Sequence, residues 1–238
     1  MKRSVRVHSL VDFLRVESPS LDSICKFLVL DTFYEFSATS FLVAVVRADG
    51  TVHKPADFGF DPHIMKDIAP RSVVVDTPMN RALRTGEIVD CGSFEEFDCP
   101  TENYGPIMFP HGFSSSIAFP IPQVGIGLFF SSDQVNLTPD TRQFLAAIGG
   151  VLALRFSQPE YREKMGYLSD GKNQLVDFAL TSRQLIILGA MRRGLTNSMI
   201  ASELEFSESL IRQETVQIYR KMGVSGRKEL LSETISDA

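Results

Sequence analysis

Two different rhythms of apolar and polar positions divide this chain. From Leu10 to Val16, and again from Leu21 to Phe36, apolar residues return at helical spacing. In the second stretch Leu21, Ile24, Cys25, Leu28 and then Phe33 or Phe36 fall on one side, which predicts a helix packed on a partner. The partner comes at once. Phe41-Leu42-Val43-Ala44-Val45-Val46 is a continuous apolar run of strand length, then come the turn Ala48-Asp49-Gly50 and a second extended segment from Thr51 to about Phe58, a hairpin inside a buried sheet. Residues 60–69 read as a short helix or loop, and Ser72 to Val75 as a brief strand. Thr77-Pro78 through Thr85-Gly86 is a helix with its own punctuation: an N-cap, a proline in the first turn, a glycine after the end. Glu87 to Asp90 turns extended. Residues 91–112, rich in Pro, Gly, Phe and acid, predict a long irregular loop of the kind that often carries function. Ser115 to Pro122 and Ile126 to Ser131 make a second hairpin, and Thr138-Pro139-Asp140 starts a long helix through Phe144, Leu145, Ile148, Leu152 and Phe156.

Beyond residue 178 only the helical rhythm remains. Thr181 and Gln184 have capping-box spacing at the head of a helix that Gly194 stops. Thr196 or Asn197 then caps a short helix to Leu204, and Ser207 caps a long one that ends at Gly223 behind the cations Arg220 and Lys221. Ser225 opens a last piece through Leu231. Within the long helix Ile211, Thr215, Ile218 and Met222 form one buried stripe. Its opposite face offers Ser209, Arg212, Gln213, Gln217 and Arg220, side chains long enough to reach phosphates and base edges in a major groove.

The pattern therefore predicts an α+β chain: an N-terminal antiparallel sheet with flanking helices, joined by a linker to an all-α, four-helix helix-turn-helix domain. The boundaries fall at 1–157 for the sheet domain, 158–177 for the linker, where Pro159, Gly166 and Gly171 should leave domain orientation free, and 178–238 for the helical domain.

Charge sharpens that division. The chain carries 24 Lys and Arg against 29 Asp and Glu, net −5, yet residues 178–232 hold eight cations and five anions. A mildly basic end on an acidic remainder suits a small footprint on double-stranded DNA, and so a homodimer on paired half-sites. No apolar run reaches membrane-spanning length and no signal peptide is evident, so a cytoplasmic protein without membrane contact is expected. Three cysteines are too few for a disulfide framework.

The last sixty or so residues resemble the LuxR/FixJ-type DNA-binding domain of bacterial transcription factors. The resemblance rests on Leu180-Thr181-x-Arg183, on Gly194-Leu195-Thr196-Asn197-x-x-Ile200-Ala201-x-x-Leu204, and on Ser207-Glu208 followed by Ile218-Tyr219-Arg220-Lys221-Met222-Gly223-Val224-Ser225-x-Arg227. It implies DNA contacts from Thr196, Asn197, Ser207, Ser209, Arg212, Gln213, Gln217, Arg220 and Lys221. The chain departs from the family at Gln184, at Leu210-Ile211-Arg212 and at Glu214, which puts the operator preference in question. Glu214, an anion near a phosphate-lined groove, should face the protein or pair with a cation.

Residues 20–157 resemble a GAF-type sensor, a fold close to PAS and to the autoinducer-binding domain of LuxR proteins. Thr77-Pro78, Ala82, Thr85-Gly86, Ser115-Ser116-x-Ala118-x-Pro120, Gly127, Thr138-Pro139-Asp140 and Phe144-Leu145 carry the likeness. A small-molecule ligand is implied by it, with Tyr34, Phe58, Phe60, Phe109 and Phe113 as candidate wall residues. The absence of Trp argues against an acyl-homoserine lactone receptor of the usual type and for a solo regulator. The alternatives are a ligand-free GAF-like dimerisation module and a partner-binding regulator or anti-activator.

No enzyme, metal or cofactor signal stands out. His53 and His63 with Asp57 and Asp61 lack tight ligand spacing, and no nucleophile elbow, P-loop or dinucleotide fingerprint occurs. Cys91 and Cys99, with His111, are the residues a redox or haem-linked role would use, and the two thiols also resemble those of GAF-fold methionine sulfoxide reductases. Such roles need a lowered thiol pKa.

Overall fold

The computed structural model describes residues 3–16, 19–47, 49–61, 77–90, 112–165 and 180–235. Helices α1 (Arg3–Val16) and α2 (Leu21–Phe27) open it, with the Ser20 hydroxyl accepting from the backbone N–H of Ser23 to cap α2. The helix expected from Leu21 to Phe36 changes pitch: a π turn at Leu28–Thr32 and a 3-10 turn at Tyr34–Phe36 come after α2. The widened turn re-aims the side chains beyond it. Phe33 stacks on Phe129 at 4.8 Å between centroids and Phe36 packs on Phe144 at 6.0 Å.

Strands β1 (Ala38–Val46), β2 (Val52–Phe58), β3 (Val89–Asp90), β4 (Ser115–Ile121) and β5 (Gly125–Ser131) form one antiparallel sheet in the order β2-β1-β5-β4-β3. The two predicted hairpins join through β1 and β5, where Phe41 faces Phe129 and Ala44 faces Ile126. At one edge β2 carries Lys54 and Pro55, and a proline there withholds a ladder N–H, which discourages further strand addition. Period-two alternation divides the sheet. Phe41, Val43, Val45, Ile117, Phe119 and Phe129 lie in one cluster with α1, α2 and α4 (Pro139–Phe156). Leu42, Ala44, Val46, Ala118, Ile126, Leu128 and Phe130 lie in the other with Met79, Ala82 and Leu83 of α3 (Pro78–Thr85). Thr77 and Gly86 cap α3, and Thr138 caps α4, as their residue types predict.

Residues 158–165, expected as the start of the linker, are ordered onto the sheet domain instead. They form α5 (Pro159–Lys164), whose buried Tyr161 donates its hydroxyl to the Pro19 carbonyl at 2.6 Å, with Met165 buried behind it. Pro159 occupies the first turn, so the residue read as a breaker starts a helix.

The C-terminal part is four helices: α6 (Ser182–Arg192), α7 (Asn197–Leu204), α8 (Glu208–Met222) and α9 (Arg227–Ile235). Leu185, Ile187, Leu188, Met191, Ile200, Leu204, Ile211, Ile218, Val224 and Leu230 form its interior, which is continuous with the second sheet face. The two parts pack directly on each other. A Cβ at Gly189 would stand 2.6 Å from the Asp49 carbonyl oxygen and 2.7 Å from the Gly50 Cα. Only glycine lets the β1–β2 turn rest on α6 at that distance. Nearby, Arg183 Nη2 donates to the Thr85 carbonyl at the end of α3, 2.9 Å away.

Candidate nucleic-acid interface

Local chemistry fixes both ends of α8. The Ser207 hydroxyl accepts from Leu210 N at 3.2 Å, Gly223 closes the helix in the left-handed conformation, and Glu208 and the pair Arg220 and Lys221 sit at the ends their charges favour. The predicted stripe faces inward: Ile211, Thr215 and Ile218 are buried and Met222 packs partly against them. Thr215 is tolerated there because its hydroxyl donates to the Ile211 carbonyl at 2.7 Å.

Outward stand Ser209, Arg212, Gln213, Gln217 and Arg220, all exposed. Val216 is exposed among them at 61%. It is not a polar arm, yet the 209–213–216–220 spacing places it on this face. Arg212 points both Nε and Nη2 at Glu208 Oε1, at 3.2 and 2.7 Å. Exposed pairs one turn apart are worth only about 0.3–0.5 kcal/mol, so a phosphate can displace Glu208.

The other expected contact residues are held differently. The Thr196 hydroxyl caps α7 by accepting from Met199 N at 3.3 Å, as Ser207 caps α8. Asn197 turns its side-chain oxygen toward Arg227 Nη2 of α9 at 3.3 Å, and Arg227 Nη1 donates to the Leu195 carbonyl. Lys221 donates from Nζ to Gln184 Oε1 at 2.8 Å, away from the outward stripe.

Gln184 is the centre of a small network. It closes the capping box with Thr181 on α6, and its amide Nε2 donates to Glu214 Oε2 at 2.9 Å. Arg183 Nη1 adds an ion pair to Glu214 at 3.6 Å. Glu214 therefore both faces the protein and pairs with a cation, which removes an anion from the outward face and pins α8 on α6. Two of the departures from the LuxR pattern, Gln184 and Glu214, are bonded to each other.

On the sheet domain the four candidate ligand-wall residues among the described residues do not share a wall. Phe60 and Phe113 meet at Phe130, with centroids 5.3 and 5.1 Å from its ring. Phe58 lies opposite Phe41 on the other face of the sheet. Gly59, at φ +84° and backed onto the Thr39 carbonyl, breaks the alternation that would have kept Phe58 and Phe60 together. Tyr34 is 70% exposed on the outside, with the Arg6 guanidinium 5.8 Å over its ring. Phe109 lies outside the described residues, as do the expected Ser72–Val75 strand, the 91–111 loop, His63, Cys91, Cys99 and His111.

A cavity of about 380 Å³ opens at the junction of the two parts, lined among others by Leu83, Thr85, Gln123, Arg183 and Glu214. Cys25 is buried, and burial together with Asp22 and Asp57 pushes its thiol up, which disfavours the thiolate. Burial, helped by Arg47, lowers the pKa of the His53 imidazole. Among the described residues no group of three or more His, Cys, Asp or Glu is arranged to hold a metal ion, and no helix is long and apolar enough to cross a membrane.

The bacterial regulatory proteins of the luxR family match residues 179–234. No curated protein matches the chain. Among solved structures, Escherichia coli SdiA is similar over 96% of this chain and 94% of its own, at 12% identity and a TM-score of 0.55. The GAF domain of an Acinetobacter phosphoenolpyruvate-protein phosphotransferase is similar over 71% of this chain and all of its own, at 11% identity and a TM-score of 0.53. The corresponding Coxiella burnetii GAF domain covers 70% and 97%, at 11% identity and 0.52. At these identities the structural likeness is one of fold: a GAF-like domain before a LuxR-type helix-turn-helix.

Proposed function

We propose that this chain is a transcriptional regulator whose GAF-like domain, residues 1–157 with α5 added, answers a small molecule or supports a homodimer and thereby controls operator binding by residues 178–238. One observation carries the DNA half of the reading. The outward face of α8 holds Arg212, Gln213, Gln217 and Arg220 exposed and clear of the packing against α3 and the β1–β2 turn. In this reading α8 enters the major groove, Arg212 and Arg220 reach phosphates or guanine, and Gln213 and Gln217 reach base edges. Thr196 and Ser207, whose hydroxyls cap α7 and α8, lie at helix N-termini where backbone N–H groups favour phosphate. Asn197 and Lys221 contribute only if they exchange their present partners, Arg227 and Gln184. A single domain with this modest positive charge calls for two half-sites, which supports the homodimer.

The sensor half rests on Phe60 and Phe113 converging at Phe130 on the sheet face that also meets α6. A ligand on that face would bear on the packing of the helix-turn-helix domain, and its leverage would equal its difference in affinity between two domain arrangements.

Arg212→Ala tests the reading. Binding of full-length protein to duplex DNA, followed by fluorescence anisotropy, should weaken by about 1–3 kcal/mol and lose roughly one unit of salt slope. Equal affinity of wild type and variant would remove α8 from the DNA and favour the partner-binding alternative. Native mass spectrometry of the purified protein then separates a ligand-bound sensor from a ligand-free dimerisation module.

A further inference from the structure

Val216 is the one apolar side chain on the outward face of α8, and the proposed function gives it no role. It is 61% exposed, and the only other large apolar side chain exposed in the described part of this domain is Met199, on α7. A single exposed valine needs no explanation by itself. Its position supplies one. At about 100° per residue, Val216 points within about 50° of the direction opposite the Ile211–Thr215–Ile218 stripe, beside Ser209, Gln213 and Arg220. Arg212 lies one turn before it and Arg220 one turn after. With α8 in a major groove, the long arms of Arg212 and Arg220 on either side of Val216 reach the walls, while the short side chain between them reaches only the floor. Nor is Val216 a slipped core residue, since Ile211, Thr215 and Ile218 already fill the inward stripe. A protein-docking patch would need contiguous apolar neighbours, and on this face Val216 is surrounded by Arg, Gln and Ser. As a β-branched residue it adds nothing to helix propensity, yet it presents two methyl groups in a nearly fixed rotamer.

We propose that Val216 reads the C5-methyl group of a pyrimidine on the groove floor and so fixes that base in each half-site. The inference rests on the DNA-binding reading and goes beyond it by naming a base feature and its reader. Thymine and 5-methylcytosine both carry this methyl, and no hydrogen bond is required of the side chain.

The test begins with selection of preferred duplexes from a random library by the full-length protein. Each thymine of the selected site is then replaced by deoxyuridine, and each cytosine by 5-methylcytosine, one at a time. One position per half-site should lose about fourfold in affinity with deoxyuridine, the equivalent of roughly 0.8 kcal/mol for one buried methyl. A gain of that size with 5-methylcytosine, and no deoxyuridine effect, would assign the methyl to modified cytosine. In Val216→Ala the sensitivity should vanish at that position alone, with far-ultraviolet circular dichroism unchanged. Tight binding with no methyl effect anywhere, or an effect that survives Val216→Ala, overturns the inference and leaves the DNA-binding reading standing. Absence of any salt-dependent duplex binding overturns both.

Discussion

The two faces of the central sheet are built for different purposes. On one face Phe33, Phe36, Phe41, Phe119, Phe129 and Phe144 form a continuous aromatic cluster, with Phe33 and Phe129 at 4.8 Å and Phe33 and Phe119 at 5.7 Å. Helices α1, α2 and α4 supply the lid from within the same domain. The other face has small residues at its centre, Ala44 and Ala118, an aromatic group at Phe60, Phe113 and Phe130, and the helix-turn-helix domain joined to the same cluster. The first face is complete by itself. The second is finished by other parts of the chain.

Damage to the first face should therefore appear as lost folding. Phe129→Ala removes a ring that Phe33 and Phe36 both stack upon, and should cost about 3–5 kcal/mol in urea unfolding. A loss below about 1 kcal/mol would mean that this face is loosely filled, and the contrast between the faces would fail.

On the second face, the same kind of change should alter the relation between domains. Gly189→Ala would stabilise an isolated helix by about 1 kcal/mol through propensity alone. Here the added methyl meets backbone of Asp49 and Gly50, which cannot swing aside as a flexible side chain would. The expected net result is a loss of about 1–3 kcal/mol and a thermal transition that separates into two as α6 lifts from the turn. Small-angle scattering should show a longer particle. A stabilised protein with one transition would mean that the Gly50–Gly189 contact does not hold the domains.

The contrast also marks what the sequence could reveal. Thr77, Thr138, Thr181, Ser207 and Gly223 announced their helix ends because capping is decided within a few residues. The hairpins and the inward stripe of α8 were legible for the same reason, as short-period patterns. Long-range choices were not. Gln184 and Glu214 are 30 residues apart, and nothing local says that they will bond. Gly189 reads as a weak point in a helix until it is set against the turn that rests on it. Likewise, the positive φ of Gly59 separates Phe58 from Phe60 against their alternation, and packing decides where the helix after Phe27 widens.

The smallest effect tests the rim where the two faces end. Lys54 lies on the edge strand β2, and its burial, only partly offset by Asp57, lowers its pKa from 10.5 to about 8. Burial also raises the pKa of Asp57, with Asp22 adding to the effect. For Lys54 the sign is set by proton counts: between about pH 8 and the ordinary lysine range the unfolded chain holds a proton that the folded chain has released. Stability should therefore rise with pH across that window as the cost of a partly buried ammonium disappears. Asp57 acts in the acid range, where its raised pKa makes stability fall as pH rises through it, so the two windows do not overlap. The Lys54→Met variant should be the more stable protein at pH 7 and should lose the slope between about pH 8 and 10, both read from urea midpoints. Because Lys54 keeps some solvent, the change should be much smaller than that of Phe129→Ala. An unaltered slope in Lys54→Met would place the ammonium in water, and the edge strand would then belong to the surface and not to either face.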